Sequence, residues 1–81
     1  MSQNKFVIWG QPNCLFCNMA KMLLKSKKLE YEYRELGAIH TKQDLDLLVP
    51  GVRSVPQIFF DSGRHIGGYN ELVEYLNSAK I

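Results

Sequence analysis

The chain has 81 residues, 46% of them apolar, a mean hydropathy of -0.20 and a formal net charge of +2. That describes one domain, residues 1–81, with apolar surface for a single small core, and it excludes a disordered or collagen-like chain. Apolar runs such as Phe6 to Trp9 and Ile58 to Phe60 fall far short of the roughly 20 residues that span a bilayer, and no basic segment feeds an apolar leader, so a cytoplasmic protein without a membrane partner is expected.

Charge is spread unevenly: residues 1–29 hold Lys5, Lys21, Lys25, Lys27 and Lys28 and no acid, which leaves -3 on the remainder. Four of these lysines crowd into a short stretch that a solvated helix end explains, so no nucleic-acid partner is expected. Lys5-Phe6-Val7-Ile8-Trp9 is β-branched and aromatic and stops at Gly10-Gln11-Pro12-Asn13, which predicts a buried strand and a loop. From Cys14 onward Phe16, Ala20, Leu23 and Leu24 recur at helical spacing, with Lys21, Lys25 and Lys28 on another face, giving an amphipathic helix to about Lys27. Tyr31 to Leu36 alternates with period two and ends at Gly37, a second strand with its tyrosines facing inward.

Thr41-Lys42-Gln43-Asp44 starts a helix, with Asp44 at the acid position of a capping box and Leu45, Leu48 and Val49 as its apolar face. Pro50-Gly51 ends it. Pro56 to Phe60 resumes β character, Asp61-Ser62-Gly63-Arg64 makes a hairpin turn, and His65-Ile66 pairs back. Gly67-Gly68 breaks that strand, and Leu72, Val73, Leu76 and Ala79 line the buried stripe of a last helix. The order β-α-β-α-β-β-α makes the first two strands parallel and the late hairpin antiparallel, so the fold class is α/β with a mixed four-stranded sheet flanked by three helices.

The two cysteines, Cys14 and Cys17, are three apart where the first strand passes into its helix. In a cytosolic chain this reads as a dithiol redox pair, because residues at that spacing share a helix face and their sulfurs can meet. At the helix N-terminus unpaired amides and about half a positive charge stabilise a thiolate, and cysteines so placed titrate at roughly 3.5 to 7.5. Cys14 is therefore the nucleophile that attacks a substrate disulfide, and Cys17, one turn in, stays a thiol and resolves the mixed disulfide. A zinc site of Cys14, Cys17, His40 and His65 is the first alternative, but finger histidines stand three to five residues apart and these do not. A pair of inert core thiols is the second, against which the Pro12-Asn13 loop argues for exposure.

Over nearly its whole length the sequence resembles the small glutaredoxins of the thioredoxin fold. Three blocks in the right order carry the resemblance: Gln11-Pro12-Asn13-Cys14-Leu15-Phe16-Cys17, Arg53-Ser54-Val55-Pro56-Gln57-Ile58-Phe59, and His65-Ile66-Gly67-Gly68-Tyr69-Asn70-Glu71-Leu72. The resemblance implies a glutathione-dependent oxidoreductase that reduces protein disulfides and glutathione mixed disulfides. It further implies a cis bond at Val55-Pro56 facing the cysteines, with Val55 offering main-chain groups to a cysteinyl substrate. Gly68, Tyr69 and Asn70 are implied to hold the γ-glutamyl end of glutathione at a helix N-terminus. Phe16 stands where the family usually has Tyr and Leu15 where it has Pro, so a hydroxyl is missing while a ring remains to pack on substrate. Gln11 stands where a Lys or Arg often attracts the glycyl carboxylate, and Gln43 falls where many members have a Gln or Arg touching the same group.

By the same resemblance the chain needs no tightly bound cofactor and no metal, since the cysteines carry the electrons and glutathione is a co-substrate. Its expected partners are glutathione and disulfide-containing client proteins, ribonucleotide reductase among them, and a monomer is expected. One alternative is a glutaredoxin-like electron donor reduced by thioredoxin reductase, a group that generally lacks the Gly-Gly-Tyr-Asn type block. Another is a [2Fe-2S] cluster held between two subunits by Cys14 and glutathione, which loss of Pro at Leu15 eases in the family and Cys17 opposes.

Overall fold

The computed structural model describes residues 5–79. In chain order it contains β1 (Lys5–Gly10), α1 (Leu15–Ser26), β2 (Glu30–Glu35), α2 (Lys42–Leu48), β3 (Gln57–Phe60), β4 (His65–Gly67) and α3 (Tyr69–Ala79). The strands form one sheet in the order β2-β1-β3-β4, with β1 parallel to β2 and the other pairs antiparallel. The expected element order, and the parallel and antiparallel pairings, are those observed. No helix among the described residues is long and apolar enough to cross a membrane.

Alternation along the strands divides the core in two. Phe6 and Ile8 of β1 and Ile58 of β3 point to the side where Ala20 and Leu24 of α1 and Leu72 and Leu76 of α3 pack. Tyr31 and Tyr33, opposite Phe6 and Ile8, lie against this cluster, so the tyrosines of β2 do face inward. Val7, Trp9 and Phe59 point to the other side, which α2 covers with Leu45. Buried on both faces and paired on both edges, β1 reads as an almost continuous apolar run.

Helix α2 begins as its sequence dictates. The Asp44 N–H donates to Thr41 Oγ1 at 3.1 Å and the Thr41 N–H to Asp44 Oδ2 at 3.5 Å, completing the capping box. Its apolar face is narrower than expected. Leu45 is 1% exposed and Val49 packs on the same cluster, but Leu48 is 51% exposed. On a helix of 7 residues, Leu45 and Val49 make the contact with the sheet, and Leu48, at the other flank of the last turn, is left to solvent.

Gly67 extends β4 instead of breaking it. His65 pairs with Phe59 and Gly67 with Ile58, so Ile66 is the extra residue of a bulge, and Gly67 takes a φ of 134 that favours glycine. α3 then starts at Tyr69, with its first backbone bond from the Leu72 N–H to the Gly68 carbonyl at 3.0 Å. Leu72 and Leu76 are buried and Val73 is partly so, as expected, while the side chain of Ala79 lies outside the described part of the helix.

The contrast along α2 gives a direct stability test. Replacing Leu45 by Ala should lower stability by about 3 kcal/mol, as for a fully buried leucine. Leu48→Ala should cost about 0.5 kcal/mol or less, as for a surface site. Urea unfolding measures both, and equal losses would mean that α2 docks on a different face.

Candidate active site

Strand β1 delivers the chain to the cysteines through a short, tightly held loop. At Gly10 the Tyr33 ring fills the space that a side chain would need. Burial, with the Glu35 charge adding to it, pushes the Tyr33 phenol up, and its hydroxyl donates to the Gln11 carbonyl at 3.5 Å. Asn13 turns the chain at a φ of 58, a left-handed conformation that Asn tolerates better than most side chains.

Cys14 follows as the N-cap of α1. Its φ of -110 and ψ of 109 are extended, the Asn18 N–H already donates to its carbonyl at 3.1 Å, and its Sγ accepts the Cys17 N–H at 3.2 Å. A sulfur thus occupies the place of the oxygen that usually satisfies a free amide of the first turn. That amide and the helix dipole favour negative charge on this sulfur once the pair is reduced. Cys14 and Cys17 form a disulfide with Cα atoms 5.2 Å apart. Cys14 is partly exposed and Cys17 is fully buried, so the exposure expected for the pair belongs to Cys14 alone. The histidines of the zinc alternative are engaged elsewhere: His40 packs edge-on against Trp9 and His65 pairs with Gln57.

Facing Cys14 is the loop before β3. The Val55-Pro56 bond is cis, as the resemblance implies, and the Val55 carbonyl oxygen is 3.9 Å from Cys14 Sγ. The start of α3 closes the third side. Gly68 holds its N-cap position, and a Cβ there would sit 3.5 Å from the Pro56 carbonyl oxygen, so the helix start and the cis-proline loop are close neighbours. The Gly68 N–H donates to Glu71 Oε1 at 2.9 Å. Because Gly68 has no side chain, it offers no cap to the amides that follow it.

These elements enclose a groove of about 270 Å³ lined by Phe16, Ser54, Val55, Pro56, Gly68, Tyr69, Asn70 and Glu71. The Phe16 and Tyr69 rings meet across it, 5.7 Å between centroids. Phe16, Val55, Pro56, Gly68, Tyr69 and Asn70, scattered over the sequence, are therefore brought together. Gln11 borders an adjoining cleft of about 140 Å³ that shares Ser54 and Val55 with the groove and also contains Lys42 and Arg53. Gln43 lines neither; it borders a shallow depression on α2 with Asp46 and Leu47.

Sequence reasoning missed Lys42, Arg53, Ser54 and Glu71. Three of these sit inside the motif blocks, and Glu71 stands three residues after the N-cap glycine, the spacing at which a carboxylate reaches back to the cap amide. For Lys42 the signal is weaker, because choosing between neighbouring residues at a helix start needs the helix rotation.

A family profile described as Glutaredoxin matches residues 6–66. A glutaredoxin of Vibrio cholerae is 40% identical over 77 residues, covering 85% of this chain and 86% of its own. The hybrid peroxiredoxin hyPrx5 of Haemophilus influenzae is 40% identical over 73 residues, which are 90% of this chain but only 30% of that protein. Among solved structures, a buckwheat glutaredoxin-glutathione complex is similar with a TM-score of 0.77 at 26% identity, covering 93% of this chain and 70% of that one. With its cysteine pair at the start of α1 in a thioredoxin-like fold, the chain belongs to the glutaredoxin family of thiol-disulfide oxidoreductases.

Proposed function

We propose that this glutaredoxin reduces protein disulfides and glutathione mixed disulfides, with glutathione as its co-substrate. The observation that carries the reading is a single groove that gathers the Val55 main chain and the start of α3, with the Val55 carbonyl oxygen 3.9 Å from the partly exposed Cys14 sulfur. In the monothiol reaction the Cys14 thiolate attacks the glutathionyl sulfur of a mixed disulfide. The client thiolate leaves and takes a proton, and a second glutathione thiolate then displaces Cys14, releasing oxidised glutathione. In the dithiol reaction Cys14 forms a mixed disulfide with the client, and Cys17, deprotonated as it attacks, breaks it. The Cys14–Cys17 disulfide that results is reduced by two glutathione molecules.

Each end of glutathione has a matching surface. The γ-glutamyl carboxylate meets the amides at the start of α3, around Tyr69 and Asn70, and Glu71 supplies an acceptor for the adjacent ammonium. The cysteinyl residue pairs with the Val55 main chain beside Pro56, and the Phe16 and Tyr69 rings form an apolar wall. At the glycyl end Gln11 brings no charge, and the cations that complement the carboxylate are Lys42 and Arg53 in the same cleft. The clients are proteins with accessible disulfides in a reducing cytoplasm, ribonucleotide reductase included.

Coupled NADPH oxidation separates the electron sources. Turnover is expected with glutathione and glutathione reductase, and turnover with thioredoxin reductase alone would overturn the glutathione reading. Cys17→Ser should keep deglutathionylation within about threefold while abolishing reduction of protein disulfides; loss of both reactions would reassign the resolving residue. Lys42→Ala and Arg53→Ala should each raise the KM for a glutathionylated peptide about fivefold at low salt, as for an exposed ion pair of ~1 kcal/mol. The effect should shrink as salt is added.

A further inference from the structure

Gln57, at the start of β3, is a buried polar side chain beside an apolar core, 9% exposed, and both ends of its amide are used. Its Nε2 donates to the Ser54 carbonyl at 2.9 Å, and its Oε1 meets His65 Nε2 at 2.8 Å. A carbonyl only accepts, so Nε2 must face Ser54, Oε1 must face His65, and the His65 proton must be on Nε2. His65 is steadied in turn by its ring on Phe59, 4.8 Å between centroids. The three side chains lie on one face of the hairpin, since Gln57 and Phe59 are two apart on β3 and His65 pairs with Phe59.

We propose that Gln57 and His65 are positioning residues that aim the Val55 N–H at a substrate bound to Cys14. The Ser54 carbonyl and the Val55 N–H belong to one planar trans peptide, so they point in opposite directions. Drawing the carbonyl inward to Gln57 turns the N–H outward. Val55 precedes a proline, which holds it extended, and an extended residue presents its N–H and C=O on the same edge. The Val55 C=O is the group 3.9 Å from Cys14 Sγ, so the N–H is presented on the sulfur's side. His65 keeps the relay in register, because without its N–H the Gln57 oxygen loses the partner that fixes which end of the amide faces Ser54. The inference rests on the reading that substrate main chain pairs with Val55.

Three variants test it. His65→Phe keeps a ring on Phe59 and removes the donor. Gln57→Glu keeps an acceptor for His65 but sets a carboxylate, which cannot donate, against the Ser54 carbonyl. His65→Gln restores an N–H at similar reach. With a glutathionylated peptide as substrate, the first two should raise KM about fivefold with kcat within about twofold, and His65→Gln should return KM to within about twofold of the parent. In the Cys17→Ser background, the Val55 amide proton should shift on forming the Cys14–glutathione mixed disulfide, and His65→Phe should reduce that shift. His65 is exposed, so this variant decides even where Gln57→Glu fails to fold. A folded His65→Phe protein with unchanged KM and an unchanged Val55 shift overturns the relay. A parent protein whose Val55 amide does not move on glutathionylation overturns the pairing at Val55 and the relay with it.

Discussion

Because β1 has a strand on each edge and helices on each face, the point at which the chain leaves the sheet after Gly10 is fixed from four directions. Cys14 lies only four residues beyond it, across a loop tied back to β2 through Tyr33. A short tether from a largely buried strand gives a partly exposed sulfur a definite position. The same strand locates the opposing groups, since β3 pairs with β1 from Phe6 to Trp9 and the cis-proline loop enters directly at the start of β3. Cys14 and the backbone that faces it are thus referred to one element, which limits the error between them to what two short loops allow.

Helix starts do the electrostatic work on two sides of the groove, and they do it differently. At α1 the cap is the Cys14 sulfur, so the helix start favours negative charge on it. At α3 the cap residue is glycine, and a carboxylate three residues on satisfies only the cap amide. The first helix turns its free amide toward its own side chain, whereas the glycine before α3 has no side chain to offer the amides that follow it. Burial of Cys17 adds to the asymmetry, because a thiol removed from water resists ionising.

Most of this was legible in the sequence, and the exceptions share a cause. Element order, strand directions, the Thr41–Asp44 box and the inward tyrosines follow from period and local chemistry, which one chain reports directly. The motif blocks likewise named the residues that gather around Phe16, Val55 and Asn70. What was not legible depended on rotation and length. Leu48 looks as apolar as Leu45 but falls beyond the strip of a two-turn helix that touches the sheet. Lys42 and Gln43 are neighbours, and only the angle at which α2 meets β1 decides which of them enters the cleft of Gln11. The Gln57–His65 pair was invisible for another reason: it is a diagonal contact across the hairpin, and which side chains meet there depends on the cross-strand register that pairs Phe59 with His65.

The cation that the family often places before the cysteines has no counterpart at Gln11, yet the cleft remains electropositive because Lys42 and Arg53 approach it from α2 and the cis-proline loop. The groups in contact with the Cys14 sulfur are the Cys17 amide and, through it, the start of α1. Leu15 and Phe16 are exposed beside Cys14, so any group that covers them removes water from around the sulfur and strengthens the local dipoles that act on it.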